Sequence, residues 1–200
     1  MEEKKLLITG FEPFGGQEIN PSWEAVAALP DRIGPFVLTR VRVPVEFGRA
    51  GQVVLDAAGK LHPDVILCIG QAGGRNAVTP EAAGLNLREA EIPDNAGAQP
   101  RDEPCVPGGD AAYFATVPVR RMVQAIQAAG LPGQLSCSAG AYVCNDLLYT
   151  LLHAFRGSGT RVGFVHLPFL PGQGGADAPC LTLEEDVRAL EAAIRAMAEK

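Results

Sequence analysis

Apolar side chains fall along this chain in two alternating rhythms. Short unbroken runs at Leu6–Thr9 and Val65–Gly70 read as strands buried on both faces. Phe36–Val43, β-branched and partly alternating, reads as a third strand, and Arg161–Leu167 as a fourth. Between them the spacing turns helical. Phe47, Ala50, Val54 and Ala57–Ala58 share a face within 46–60, and Leu148, Leu151, Leu152 and Phe155 form an i, i+3, i+4, i+7 stripe. Val187, Leu190, Ile194 and Met197 line a last helix, opened by the capping box Thr182-x-x-Glu185. Ser22, after Asn20-Pro21, predicts the N-cap of a helix over 23–29, and Asp110 predicts the cap of one running to Ala129. Leu85–Arg88 and Gln134–Ser138 are short strand candidates.

Strands thus alternate with helices from end to end. That pattern predicts an α/β fold, a single-domain three-layer α/β/α sandwich around a mostly parallel twisted sheet. No repeat, linker or low-complexity tract divides residues 1–200, so one domain is expected.

Composition narrows the class. With 200 residues, 47% of them hydrophobic and 20% charged, the chain can bury a substantial core and is not of disordered type. A net charge of −6 offers no basic footprint for nucleic acid or an anionic membrane. No apolar run approaches the roughly 20 residues of a membrane-spanning helix, and the first ten residues lack the plan of a secretory signal. The five cysteines are odd in number and include no C-x-x-C pair, which points to a reducing, cytoplasmic setting.

In open α/β sheets, chemistry gathers beyond the carboxyl ends of the strands. Three such ends here carry reactive residues: Gly70–Arg75 leading to Glu81, Ser138–Asn145, and His166-Leu167-Pro168. Cys144 stands where the 148–155 stripe begins, so the first turn of that helix should hold it, where the dipole favours a thiolate. Cys68 lies inside an apolar strand and reads as core, as does Cys137 beside a strand; Cys105 and Cys180 are loop residues with no second signal. His166 ends a buried strand and needs a partner, which a Cys–His arrangement with Cys144 supplies. The group orienting the imidazole is Glu81, Asp94 or Asn145, and spacing does not choose among them. His62 reads as a turn residue and His153 as a satisfied helix-side histidine. No phosphate loop, dinucleotide fingerprint or zinc spacing is present, and Ser136-x-Ser138-x-Gly140 is only half of a serine nucleophile elbow.

These segments together resemble the pyroglutamyl peptidase I family of C15 cysteine peptidases. The resemblance rests on Gly10-Phe11-Glu12-Pro13-Phe14-Gly15-Gly16 with Asn20-Pro21-Ser22, and on Gly70-Gln71-Ala72-Gly73-Gly74-Arg75 with Thr79-Pro80-Glu81 and Asn86. It extends to Ile92-Pro93-Asp94-Asn95, Ser138–Asn145 and Val165-His166-Leu167-Pro168. It implies a cofactor-free cytoplasmic enzyme, commonly a homotetramer, that removes N-terminal pyroglutamate from peptides. It further implies Cys144 as nucleophile, His166 as general base and acid, and Glu81 as the orienting acid. Phe11 and Phe14 are then expected as walls for the ring, with Asn20 and Gln71 as candidate polar contacts and main-chain groups as the other source of the lactam bonds. Two positions depart from the family: Ala82 stands where a basic residue is usual, and Glu91 where arginine is frequent. Arg75 and Arg88 are the cations placed to compensate. Two rival readings keep the same pocket: a related cysteine amidohydrolase for another small or cyclic acyl group, and a catalytically quiet ligand-binding protein.

Overall fold

The computed structural model describes residues 3–198. In chain order its elements are β1 (Lys4–Phe11), α1 (Pro21–Ala28), β2 (Arg32–Ile33), β3 (Phe36–Val43), α2 (Arg49–Leu61), β4 (Val65–Gln71), β5 (Thr79–Pro80), β6 (Ala83–Leu85), β7 (Ala112–Phe114), α3 (Val119–Ala128), α4 (Val143–Ala154), β8 (Arg161–Leu167) and α5 (Leu183–Ala196). Six strands form one sheet in the order β2-β3-β1-β4-β8-β5, while β6 and β7 pair separately. The four central strands run parallel, and only the short edge strands β2 and β5 run antiparallel to their neighbours.

Alternation along the strands sends side chains into two cores. Leu6, Ile8, Leu67, Ile69, Val165 and Leu167 pack under α1, α3 and α5 through residues such as Val26, Met122 and Leu190. Leu7, Ile66, Cys68 and Phe164 pack on the other face against Val54 of α2 and Leu147, Leu148 and Leu151 of α4. Each layer covers a sheet face that would otherwise expose its apolar side chains to water. Close approach needs glycine at one seam: a Cβ on Gly10 would lie 2.7 Å from the Ser22 carbonyl oxygen, so α1 could not sit where it does.

The structure departs from the sequence-derived elements at four places. Residues 112–114 form β7 against β6, and the helix expected from Asp110 begins only at Val119. Pro118 is its N-cap residue, and a proline disfavours helical backbone in the residue before it. The expected strand Leu85–Arg88 is displaced to 83–85, because the paired residues lie earlier. Gln134–Ser138 is no ladder strand; Gly133, just before it, and Ser136 within it make isolated bridges to Val78 and Glu81. Finally, Asn20 rather than Ser22 caps α1, with Pro21 in the first turn, where its missing N–H costs nothing. The Ser22 hydroxyl instead accepts from the Phe11 N–H at 2.9 Å and donates to Asn20 Oδ1 at 2.8 Å.

One buried group stands out against this packing. Asp186, in the first turn of α5, is wholly buried, and neither carboxyl oxygen has a hydrogen-bond partner among the described residues. Burial first, then the Glu185 charge, pushes its pKa up to about 8. The folded state therefore binds a proton the unfolded chain has released, and this group costs progressively more stability as pH rises from about 4 to about 8. Asp186→Asn is expected to raise the melting temperature relative to wild type, with a gain that grows across that window and then levels off. Thermal melts at pH 5, 7 and 9 check it; a pH-independent difference would contradict it.

Candidate active site

The carboxyl ends of β1, β4 and β8 converge on one pocket. Its lining includes Phe11 and Asn20 near β1, Gln71 and Ala72 at the end of β4, His166 on β8, and Ala139, Gly140, Tyr142 and Cys144 at the start of α4. Phe14, Val45 and Arg75 complete it. The volume is about 180 Å³, which suits a small ring better than the roughly 300–1,000 Å³ typical of larger ligands.

Cys144 is the second residue of α4, and Tyr142, the N-cap, supplies no side-chain cap. The first-turn N–H groups of this helix are thus left for other acceptors. The sulfur sits over Gly70: a Cβ on that residue would lie 3.0 Å from Sγ and 2.7 Å from the Phe164 ring. Gly70 pairs in register with His166 on the adjacent parallel strand, so the missing side chain lets thiol and imidazole share one end of the sheet.

His166 Nδ1 meets Glu81 Oε1 at 2.7 Å, and Arg75 Nη1 reaches the same oxygen at 2.6 Å. Arg75 also donates to Thr79 Oγ1 at 2.6 Å and to the Ser138 carbonyl at 3.3 Å, linking the β4 loop to the segment before Cys144. Burial alone would raise the Glu81 carboxyl, but the His166, Ser136 and Arg75 interactions outweigh it and hold it below the ordinary carboxylate value. Glu81 is therefore an anion, so Nδ1 carries the imidazole proton and Nε2 is the basic nitrogen. Burial also pulls His166 below the usual histidine value, against the opposing pull of Glu81. The ring is neutral at pH 7.

The other two candidate orienting groups are engaged elsewhere. Asp94 accepts from the N–H groups of Phe47, Ala96 and Ala98. Asn145 accepts from the Leu85 N–H and donates to the Leu85 and Leu87 carbonyls. Both brace loops. Arg88 pairs with buried Asp146 at 2.7 Å, so of the two cations only Arg75 reaches the Glu81–His166 pair.

Phe11 is buried, with its ring 6.4 Å from that of Phe164, and Phe14 packs 6.3 Å from Tyr142. Asn20 borders the pocket, yet its amide donates to the Glu12 carbonyl at 2.9 Å and its oxygen accepts from Ser22. It shapes the loop. Gln71 differs: its side-chain oxygen is buried with no hydrogen-bond partner among the described residues. Tyr142 and Arg75 were not singled out as pocket residues from sequence. Tyr142 lies inside the Gly140–Cys144 segment, so closeness to the cysteine was the available signal. Cys137 is exposed rather than packed, because the segment carrying it is not a ladder strand.

The sequence profile of the Pyroglutamyl peptidase family, Peptidase_C15, matches residues 4–200. The chain belongs to this family. It is 49% identical over 197 residues to a pyrrolidone-carboxylate peptidase of Levilactobacillus brevis, spanning 96% of this chain and 97% of the relative. It is 45% identical to one from Erwinia tasmaniensis, over 96% and 91% of the two chains. The fold superposes on pyroglutamyl peptidase I of Bacillus amyloliquefaciens with a TM-score of 0.94 and 44% identity, covering 98% of this chain and 97% of the other. The pyrrolidone carboxyl peptidase of Thermococcus litoralis superposes at 0.92 with 33% identity, over 98% and 93%.

The thiol's electrostatics differ from the sequence expectation of a dipole-stabilised anion. Desolvation, followed by the charges of Glu81 and Cys68, pushes the Cys144 pKa up to about 12, against weaker lowering by Arg75 and its own N–H. Burial disfavours both charged partners, so the resting pair is thiol and neutral imidazole. Alkylation of Cys144 by iodoacetamide, followed by peptide mass spectrometry, is expected to accelerate steadily from pH 6 to pH 9. A plateau by pH 7 would reveal a preformed thiolate instead.

Proposed function

We propose that this protein is a cysteine-type omega peptidase that hydrolyses the amide bond after an N-terminal pyroglutamyl residue, residues 1–200 forming one catalytic domain. The observation that carries the reading is a small, largely apolar pocket, its one arginine already paired with Glu81, that holds an unpaired buried acceptor, Gln71 Oε1, beside Cys144 and His166. Pyroglutamate is a flat uncharged ring whose lactam N–H matches that acceptor. An N-terminal proline has the same ring size but carries a protonated amine, and desolvating that charge here is costly. Phe11, Phe14 and Tyr142 supply the walls.

In this mechanism Cys144 Sγ attacks the carbonyl carbon joining the ring to the rest of the peptide, and His166 Nε2 takes the thiol proton. Glu81 stabilises the imidazolium that forms, and Arg75 keeps Glu81 ionised and in place. The Cys144 N–H at the open start of α4 faces the developing oxyanion. His166 then protonates the departing amine, the thioester remains on sulfur, and water activated by the same imidazole releases pyroglutamate. No step needs a cofactor or metal.

A cytoplasmic homotetramer is part of the proposal. The five free cysteines support a reducing compartment, and the homotetramer rests on the family resemblance alone. No helix among the described residues is long and apolar enough to cross a membrane.

The direct test is chromophore release from a pyroglutamyl amide. Cys144→Ser is expected to abolish turnover, and His166→Ala to lower it by about 10²–10⁴-fold. Glu81→Gln should lower it by up to about 10⁴-fold. Because burial lowers the His166 pKa, the acid limb of kcat/KM is expected below pH 6.5. Well-folded wild type that releases no chromophore would overturn the proposal.

Gln71 gives a separate test of substrate identity. Gln71→Leu removes the acceptor and leaves the lactam N–H unpaired, a loss of about 1–3 kcal/mol, or about 5- to 150-fold in kcat/KM. The ratio of pyroglutamyl to prolyl turnover should fall with it. An unchanged ratio would exclude Gln71 from recognition of the ring.

A further inference from the structure

A second concavity opens beside the pocket and shares two of its walls, Phe14 and Tyr142. Its other lining residues are Glu89, Glu91, Ile92 and Ala141, and its volume is about 400 Å³. The segment that builds it is tied to the cysteine loop. The Glu89 N–H donates to the Ala141 carbonyl at 2.9 Å, and the Tyr142 hydroxyl donates to the Pro93 carbonyl at 3.0 Å. Gln99 Nε2 holds the Glu91 carbonyl at 2.9 Å, and Asn95 Nδ2 holds that of Pro13 at 3.0 Å. The groove is therefore positioned before any peptide arrives.

Its charge is lopsided. Three cations around the two hollows already have carboxylates: Arg101 pairs with Glu89, Arg88 with Asp146 and Arg75 with Glu81. The Glu91 side chain makes no ion pair or hydrogen bond among the described residues. Beside it Ile92 is 48% exposed, and the Tyr142 ring faces the same hollow. A free carboxylate next to an apolar shelf matches a side chain with an aliphatic stem and a cationic end.

Building on the pyroglutamyl-peptidase reading, we infer that this groove receives the residue following pyroglutamate, and that Glu91 selects for lysine or arginine there. The stem lies on Ile92 and the Phe14–Tyr142 edge, and the cation meets Glu91. The pair is solvent-exposed, so its effect is modest: about two- to five-fold in kcat/KM at low salt, shrinking as salt screens it.

The test compares amidated pyroglutamyl-lysine, pyroglutamyl-alanine and pyroglutamyl-glutamate, read by release of the free amine. Wild type should prefer lysine to alanine and disfavour glutamate. Glu91→Gln should bring the lysine-to-alanine ratio near one and Glu91→Lys should invert it, while Glu184→Gln, on the exposed start of α5, should leave it as in wild type. The ratio is read rather than absolute rate because a merely structural loss would lower all three substrates alike. Turnover of all three at equal efficiency, or a preference that survives Glu91→Gln, overturns this inference and leaves the activity intact. Turnover of none overturns the activity and this inference with it.

Discussion

Everything at the carboxyl edge of the sheet depends on keeping one buried carboxylate charged. Glu81 has no exposed surface, and an isolated ion there would cost several kcal/mol of lost hydration. The fold meets that cost by bringing a guanidinium and an imidazole to the same oxygen, at 2.6 and 2.7 Å. The irregular chain after β4 follows from this requirement. It turns through Gly74, whose φ of +87° suits glycine, delivers Arg75, and returns as β5 so that Glu81 lies beside β8. A regular crossover helix would place neither residue within reach of His166.

The same burial that makes Glu81 useful restrains the thiol. A helix start and a nearby arginine favour a thiolate, while desolvation and the Glu81 anion oppose it, and the opposition wins. Carboxylate and thiolate are both anions, so an arrangement that keeps Glu81 ionised raises the cost of a resting sulfur anion. In the proposed mechanism the consequence is a nucleophile that is ionised only when its proton has somewhere to go. In that mechanism Glu81 acts in the useful direction, since it would stabilise the imidazolium formed as the sulfur attacks.

Much of the fold was legible in local pattern because local pattern is what determines it. The apolar run of β4, too short for a helix and bounded by turn residues, reads as a central parallel strand, and the Thr182–Glu185 box marks the start of α5 through bonds spanning three residues. Errors came where the controlling contact is distant in sequence. Residues 112–114 pair with 83–85, about thirty positions away, and residues 133 and 136 meet 78 and 81 only after the chain returns. The site divides in the same way. The reactive types at strand ends point to Cys144 and His166, but spacing leaves two acids and an amide as orienting groups, and only the hydrogen bonds of Asp94 and Asn145, spent on loops, leave Glu81. The unpaired oxygen of Gln71 has no sequence signal, because being without a partner depends on all the neighbours together.

As proposed, the two hollows would recognise substrate by unlike physics. Inside the ring pocket, low dielectric and exclusion of water make one unmatched polar atom expensive, so a single acceptor such as Gln71 can separate a lactam from an amine. In the outer groove water remains, charges are screened, and even a free carboxylate at Glu91 yields only a small factor. An enzyme working as proposed would be strict about the blocked end of a peptide and only biased about the side chain of the next residue. That division fits hydrolysis of many peptides sharing one terminal group, because the energy for discrimination is concentrated where the shared group binds.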